Sequence, residues 1–139
     1  MKLTAQHVDG MRFLATADGQ TIVVDAAPED GGGGTAMSSP QLFVAALGAC
    51  ILEFAMNSCR LHGVPVERLS LEMAYEEIPR PRRVGPLKAT LHLEPEPPDD
   101  VKRRLIGVAR HATLVNTLVY PPEVDIRFAR EGQETDADL

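Results

Sequence analysis

The period of the apolar positions changes several times along the chain, and each change marks an element. Residues 2 to 9 read as a weak strand, and Met11 to Ala17 and Thr21 to Asp25 as stronger ones. Asp18-Gly19, flanked by β-prone residues, is a hairpin signal, and Asp9-Gly10 is a second turn signal. The opening therefore predicts a small antiparallel meander. Residues 26 to 37 read as a flexible loop with Gly31 to Gly34 inside it. Later, Leu69, Leu71 and Met73 alternate with Ser70, Glu72 and Ala74. Leu87, Ala89, Leu91 and Leu93 alternate with Lys88, Thr90, His92 and Glu94. Both patterns predict half-buried strands. Ile78 to Pro86, with three prolines and three arginines, reads as an exposed turn between them. Val101, Leu105, Val108, Ala109 and Ala112 recur at helical spacing behind Asp99 and Asp100, which suit a helix start. Val124, Ile126 and Phe128 predict a last strand, and residues 131 to 139 a frayed acidic tail.

The stretch from Ser38 to Gly63 organises the rest. Ser38 or Ser39 can cap a helix, Pro40 suits its first position, and Gly63 suits the left-handed residue after its end. Arg60 and His62 fall in the last turn, where positive charge is favoured. From Leu42 to Leu52 every residue is apolar or small, so no face is made for water. The run is shorter than the roughly 18 residues that a membrane span needs. A central buried helix over residues 39 to 62 follows. A chain of this length has limited means to surround such a helix, and a partner subunit can complete its burial. Strands before and after two helices, without regular βαβ alternation, make the fold α+β, with antiparallel sheet around the long buried helix. The whole of residues 1 to 139 reads as one domain.

Composition narrows the function. The net charge of −6 and the dispersed basic residues argue against nucleic acid. The start, MKLTAQHVDG, lacks an apolar signal core, and two cysteines suit a reducing compartment, so a cytoplasmic protein is expected. Those cysteines, Cys50 and Cys59, both lie in the central helix. They are roughly 13 Å apart along its axis and on opposite faces, too far to bridge within one chain. His7, His62, His92 and His111 show no ligand spacing, so neither metal nor cofactor is expected. The glycines before the helix lack the Lys and Ser/Thr of a phosphate-binding loop. Glu53, polar on an apolar helix, suits an ion pair across a subunit interface or a solvent-facing position near the helix end. Cys50 leaves two readings open. A buried cysteine usually packs as a small hydrophobe. A reactive one needs a cation or a helix N-terminus beside it, and Cys50 is three turns into its own helix.

The segments GMRFLATADGQTIVVDAAPEDGG (10 to 32), SPQLFVAALGAC (39 to 50), HATLVNTL (111 to 118) and PPEVDI (121 to 126) resemble the OsmC/Ohr family of small thiol-dependent peroxidases, nearest its YhfA-like branch. The resemblance spans nearly the whole chain, and LFVAALGAC is its most specific part. It implies an intertwined homodimer around two central helices, and organic hydroperoxides as substrates. It also implies that Cys50 attacks the peroxide and that Arg12, delivered from the partner subunit, holds the thiolate. In the family a second cysteine then closes a disulfide. Here that position is Ala112. A glutamate that orients the arginine in many members has no match, since the neighbourhood is Pro40-Gln41.

Three readings follow from the resemblance and these departures. One is a one-cysteine hydroperoxide reductase in which Cys50 is reset by an external thiol. Another is a dimeric, non-catalytic protein that binds a small apolar ligand. The third is a structural or regulatory remnant. Cys50 and Arg12 favour the first, and Ala112 with the missing carboxylate favours the second.

Overall fold

A computed structural model describes residues 1 to 130. The frayed tail expected at 131 to 139 lies outside the described residues. The fold is α+β, with antiparallel sheets and a long buried central helix. Strands β1 (Thr4–Asp9), β2 (Arg12–Ala17) and β3 (Gln20–Asp25) form a meander in the order β1-β2-β3. Asp18 and Gly19 both take positive φ, 48° and 77°, as a two-residue hairpin turn matched to strand twist requires.

The central helix α1 spans Ser39–Leu61. Ser38 is its cap. The Ser38 hydroxyl accepts the Gln41 N–H at 3.4 Å, and Gln41 Oε1 accepts the Ser38 N–H at 2.9 Å. This reciprocal box satisfies two donors at the helix start. At the other end Gly63 takes φ 64°. By length and composition α1 could cross a membrane, yet Val44, Leu47, Cys50, Ile51, Ala55 and Cys59 are buried in the protein core.

Strands β4 (Arg68–Pro79) and β5 (Arg82–Glu94) form a long hairpin that packs on α1. Their alternating faces meet in register, Leu69 opposite Leu93 and Leu71 opposite Leu91. Gly48 allows the close approach of α1, since a Cβ there would lie 3.2 Å from Leu71 Cδ2. The exposed turn expected over 78 to 86 is shorter than its composition suggests. Ile78 and Pro79 still belong to β4, and Arg82 to Pro86 to β5. Edge positions of a two-stranded ribbon tolerate proline, so the prolines do not end the strands.

Helix α2 (Asp99–Ala109) follows, and α3 (Thr113–Val119) is a separate short helix. Ala112 does not continue α2. It is extended, with φ −58° and ψ 145°, and occupies the cap position of α3. No Gly or Pro marks this break, so the helical spacing of apolar residues runs straight across it. The expected strand at Val124 to Phe128 is absent within one chain. The described segment after Tyr120 has no regular structure, and Val124, Ile126 and Phe128 are 78 %, 89 % and 100 % exposed. A strand needs a neighbour for its backbone groups, and a single chain offers this segment none among the described residues.

The core has two parts. Leu47, Cys50, Ile51 and Ala112 centre one, with Phe54, Leu71, Met73, Leu91, Leu114 and others packed against it. Ala55, Cys59 and Leu105 centre the other, under Val64, Leu69, Leu93 and Val101.

Candidate functional site

Cys50 is brought to its site by the face of α1 that packs under β4 and α3. It is 8 % exposed and makes no disulfide. Its Sγ accepts the backbone N–H of Leu114 at 3.5 Å. Leu114 lies in the first turn of α3, where amides have no acceptor within their own helix. The sulfur takes one of those orphan donors. A helix start does reach the sulfur, but it belongs to a helix 64 positions downstream and not to α1. Sequence reasoning missed this residue, because the group involved is backbone and its position depends on where α3 begins. Fully buried Ala112 lies in the same cluster as Cys50, just ahead of that turn. Asn116 fixes the turn by donating from Nδ2 to the His111 carbonyl at 3.1 Å.

Arg12 opens β2 and is not brought to Cys50 within one chain. Its guanidinium is held by Asp9, Nε to Oδ1 at 2.6 Å and the second bond to Oδ2. The pair keeps the Asp9 carboxyl below its usual range and raises Arg12 further. Asp25 faces Arg12 across the β2–β3 ladder and is 1 % exposed. Its carboxylate accepts the Thr35 N–H at 3.0 Å, the Thr35 hydroxyl at 2.7 Å and the Gly33 N–H at 3.3 Å. The hydrogen bonds from Thr35, chiefly its backbone N–H, hold the Asp25 carboxyl below the ordinary aspartate range. The loop expected to be a flexible connector is therefore pinned. It carries a 3₁₀ turn at Pro28–Asp30, and Arg82 on β5 donates to both oxygens of Asp30 at 3.0 and 2.6 Å. An aspartate closing a strand before a Gly-rich loop with a threonine was the signal available for this.

The other candidates separate from the site. Cys59 is fully buried in the second core cluster, and burial pushes its thiol up, away from reactivity. Gln41 is occupied by the cap of α1. Glu53 is exposed and has no ion-pair partner among the described residues. Among the described residues no group of three or more His, Cys, Asp or Glu could hold a metal ion. A cavity of about 1070 Å³ opens between β5, α2 and α3. Leu47 and Ile51, which flank Cys50 in the first cluster, line one wall, and Leu91, Leu105, Ile106 and Leu118 continue the lining. Charges of both signs stand in its lining, Lys88, Lys102 and Arg110 with Glu94 and Glu96, and Lys102 is paired with Glu96.

The sequence matches the OsmC family, described as OsmC-like protein, over residues 31–127, more than two thirds of the chain. No curated protein matches it. Solved structures share the fold at low identity. A candidate osmotic stress induced and detoxification response protein from Psychrobacter arcticus superposes with a TM-score of 0.80 at 18 % identity, covering 84 % of this chain and 87 % of its own. An organic hydroperoxide resistance protein from Legionella pneumophila gives 0.68 at 19 %, covering 84 % and 87 %. A candidate organic hydroperoxide resistance protein from Vibrio cholerae, with captopril bound in one of its active sites, gives 0.67 at 19 %, covering 85 % and 84 %.

Proposed function

The chain belongs to the OsmC-like protein family, and from that premise we propose that it reduces organic hydroperoxides with one cysteine, Cys50, reset by an external thiol. The observation that carries this reading is the donor at the sulfur. Cys50 Sγ accepts the Leu114 amide from the first turn of α3, beside a buried Ala112 that offers no second thiol. The substrate class is carried over from the family and from the name of the Legionella protein.

The chemistry needs a positioned thiolate. Its sulfur attacks one peroxide oxygen, an S–O bond forms and the O–O bond breaks. The alkoxide leaves and takes a proton to become the alcohol. Cys50 is now a sulfenic acid. An external thiol attacks that sulfur, water leaves, and a mixed disulfide remains. A second thiol attacks this disulfide, freeing Cys50 and releasing the oxidised reductant. The peroxide gains two electrons, and two external thiols lose one each. In this reading the protein is a cytoplasmic homodimer, and Arg12 reaches Cys50 from the partner subunit. Such an assembly would also cover the uniformly exposed strand β1.

A second reading has its own observation. The apolar cavity beside Leu47 and Ile51 is large enough for a small lipid-like ligand held without turnover. One experiment separates the two. Reduced wild type and Cys50→Ser are mixed with cumene hydroperoxide and 2-mercaptoethanol, and sulfenic acid is trapped. Turnover and trapping at Cys50, both lost in Cys50→Ser, are expected. No consumption and no trapped species would overturn the peroxidase reading and leave the binding one.

A further inference from the structure

The carboxylate that holds Arg12 comes from Arg12's own hairpin. The ladder between β1 and β2 is irregular between His7 and Asp9, and beyond the irregularity Asp9 pairs with Arg12. Such bulges re-aim side chains and recur next to active sites. The turn that joins the two residues is fixed by Gly10 at φ 48° and by the His7 ring, whose Nε2 lies 2.9 Å from the Gly10 carbonyl oxygen. Asp9 binds the guanidinium through Nε and one Nη2 hydrogen. A guanidinium has five N–H donors in a rigid plane. Two are used by Asp9, and Nη1 has no partner among the described residues. The clamp leaves the Nη1–Nη2 edge facing away from the carboxylate, free for an anionic sulfur or a peroxide oxygen.

Asp9 is the group that holds the guanidinium. Asp25 is its neighbour across the sheet, but the Asp25 oxygens accept from Gly33 and Thr35 and make no ion pair with Arg12. Gln41, on α1, is neutral and closed in the cap. We propose that Asp9 is the positioning residue for Arg12, fixing one edge of the guanidinium so that the other is presented to Cys50. The proposal rests on the roles given to Arg12 and Cys50 above. Because donor and clamp are three residues apart on one strand pair, the orientation is set within a single chain. Exposed ion pairs add little to stability. The pair is 41 % and 59 % exposed, so its worth lies in orientation, and Asp9 variants should keep the fold.

The test uses the full-length protein and its Asp9→Asn, Asp9→Glu, Arg12→Ala and Asp9→Asn/Arg12→Ala variants. Two rates are measured for each: alkylation of Cys50 by iodoacetamide and turnover of cumene hydroperoxide with 2-mercaptoethanol. Losing a charge-assisted, bidentate hold should slow Cys50 alkylation about tenfold in Asp9→Asn. Asp9→Glu should recover most of the rate, and Asp9→Asn should add nothing once Arg12 is gone. An unchanged rate in Asp9→Asn, a slow Asp9→Glu, or equal Asp9→Asn effects with and without Arg12 would each overturn the proposal. A variant series that alkylates with this pattern, from a wild type that turns over no hydroperoxide, would sink the peroxidase reading and leave the clamp standing. Wild type that turns over hydroperoxide while the Asp9 variants match it would do the reverse.

Discussion

Introducing a cysteine at Ala112 is the sharpest test of how α1 and α3 meet. Ala112 is fully buried and packs in one cluster with Cys50, and the Leu114 amide already reaches that sulfur. In Ala112→Cys the two Cα atoms should lie within the roughly 7 Å that a disulfide allows. The loop it would close runs from residue 50 to residue 112. For about 62 residues the chain-entropy relation gives about 14 cal/mol/K, or about 4 kcal/mol at room temperature. The reduced variant should be weaker than wild type, because a sulfur added to a filled core costs about 1–3 kcal/mol. That cost is common to both redox forms of the variant and cancels between them. Oxidised Ala112→Cys should therefore melt roughly 10 °C or more above its reduced form, at about 4 °C per kcal/mol for a domain of this size. One equivalent of cumene hydroperoxide should close the bond, read by thiol counting and peptide mass. A Cys50 sulfenic acid that persists while the introduced thiol stays free would refute the placement of Ala112 against Cys50. So would a disulfide formed to Cys59.

Asp25 should make stability depend on acid. Its folded carboxyl titrates below the ordinary value of 3.8, so its contribution is present above that value and is lost as pH falls through the folded one. Urea midpoints measured from pH 7 to pH 2 should fall more steeply below about pH 4 in wild type than in Asp25→Asn, and the variant should be weaker at pH 7. Leu105 is 4 % exposed against Ala55 and Cys59, and Leu105→Ala should cost about 2–4 kcal/mol in urea unfolding. Trapping at Cys50 should survive that change, since Leu105 belongs to the other core cluster.

The parts of this fold that its sequence made legible are those set by neighbours in the chain. A turn at Asp18-Gly19, a cap at Ser38, a left-handed stop at Gly63 and the paired faces of β4 and β5 each follow from residues a few positions apart. The candidate site was half legible. Cys50 was a candidate by residue type and took its role from the family resemblance, which alone supplied Arg12. Leu114 was beyond reach, because a backbone amide carries no residue type to mark it. Asp9 was visible only as a turn former, and its second role depends on a ladder irregularity that shortens the path to Arg12. Asp25 and Thr35 meet across ten positions of loop, too far for any local rule.

The missing last strand has a physical cause of its own. Alternation in Val124, Ile126 and Phe128 is a statement about burial, not about the chain that does the burying. Strand β1 shows the same thing, being paired along one edge and exposed along its whole length. On α1 the buried face is covered by β4, β5, α2 and α3, while Phe43 remains 44 % exposed on a helix with no polar stripe. Three regions far apart in sequence thus leave surface that their own chain does not cover: part of α1, the segment from Val124 to Phe128 and the whole of β1. A homodimer of the kind proposed above gives all three the same explanation. It would also place the Arg12 hairpin, held by Asp9, on the surface that a second subunit meets. The catalytic reading and the uncovered surfaces then stand or fall on the same assembly. In that assembly a clamp formed inside one chain would let the arginine arrive at the other subunit's sulfur with its free edge already turned outward.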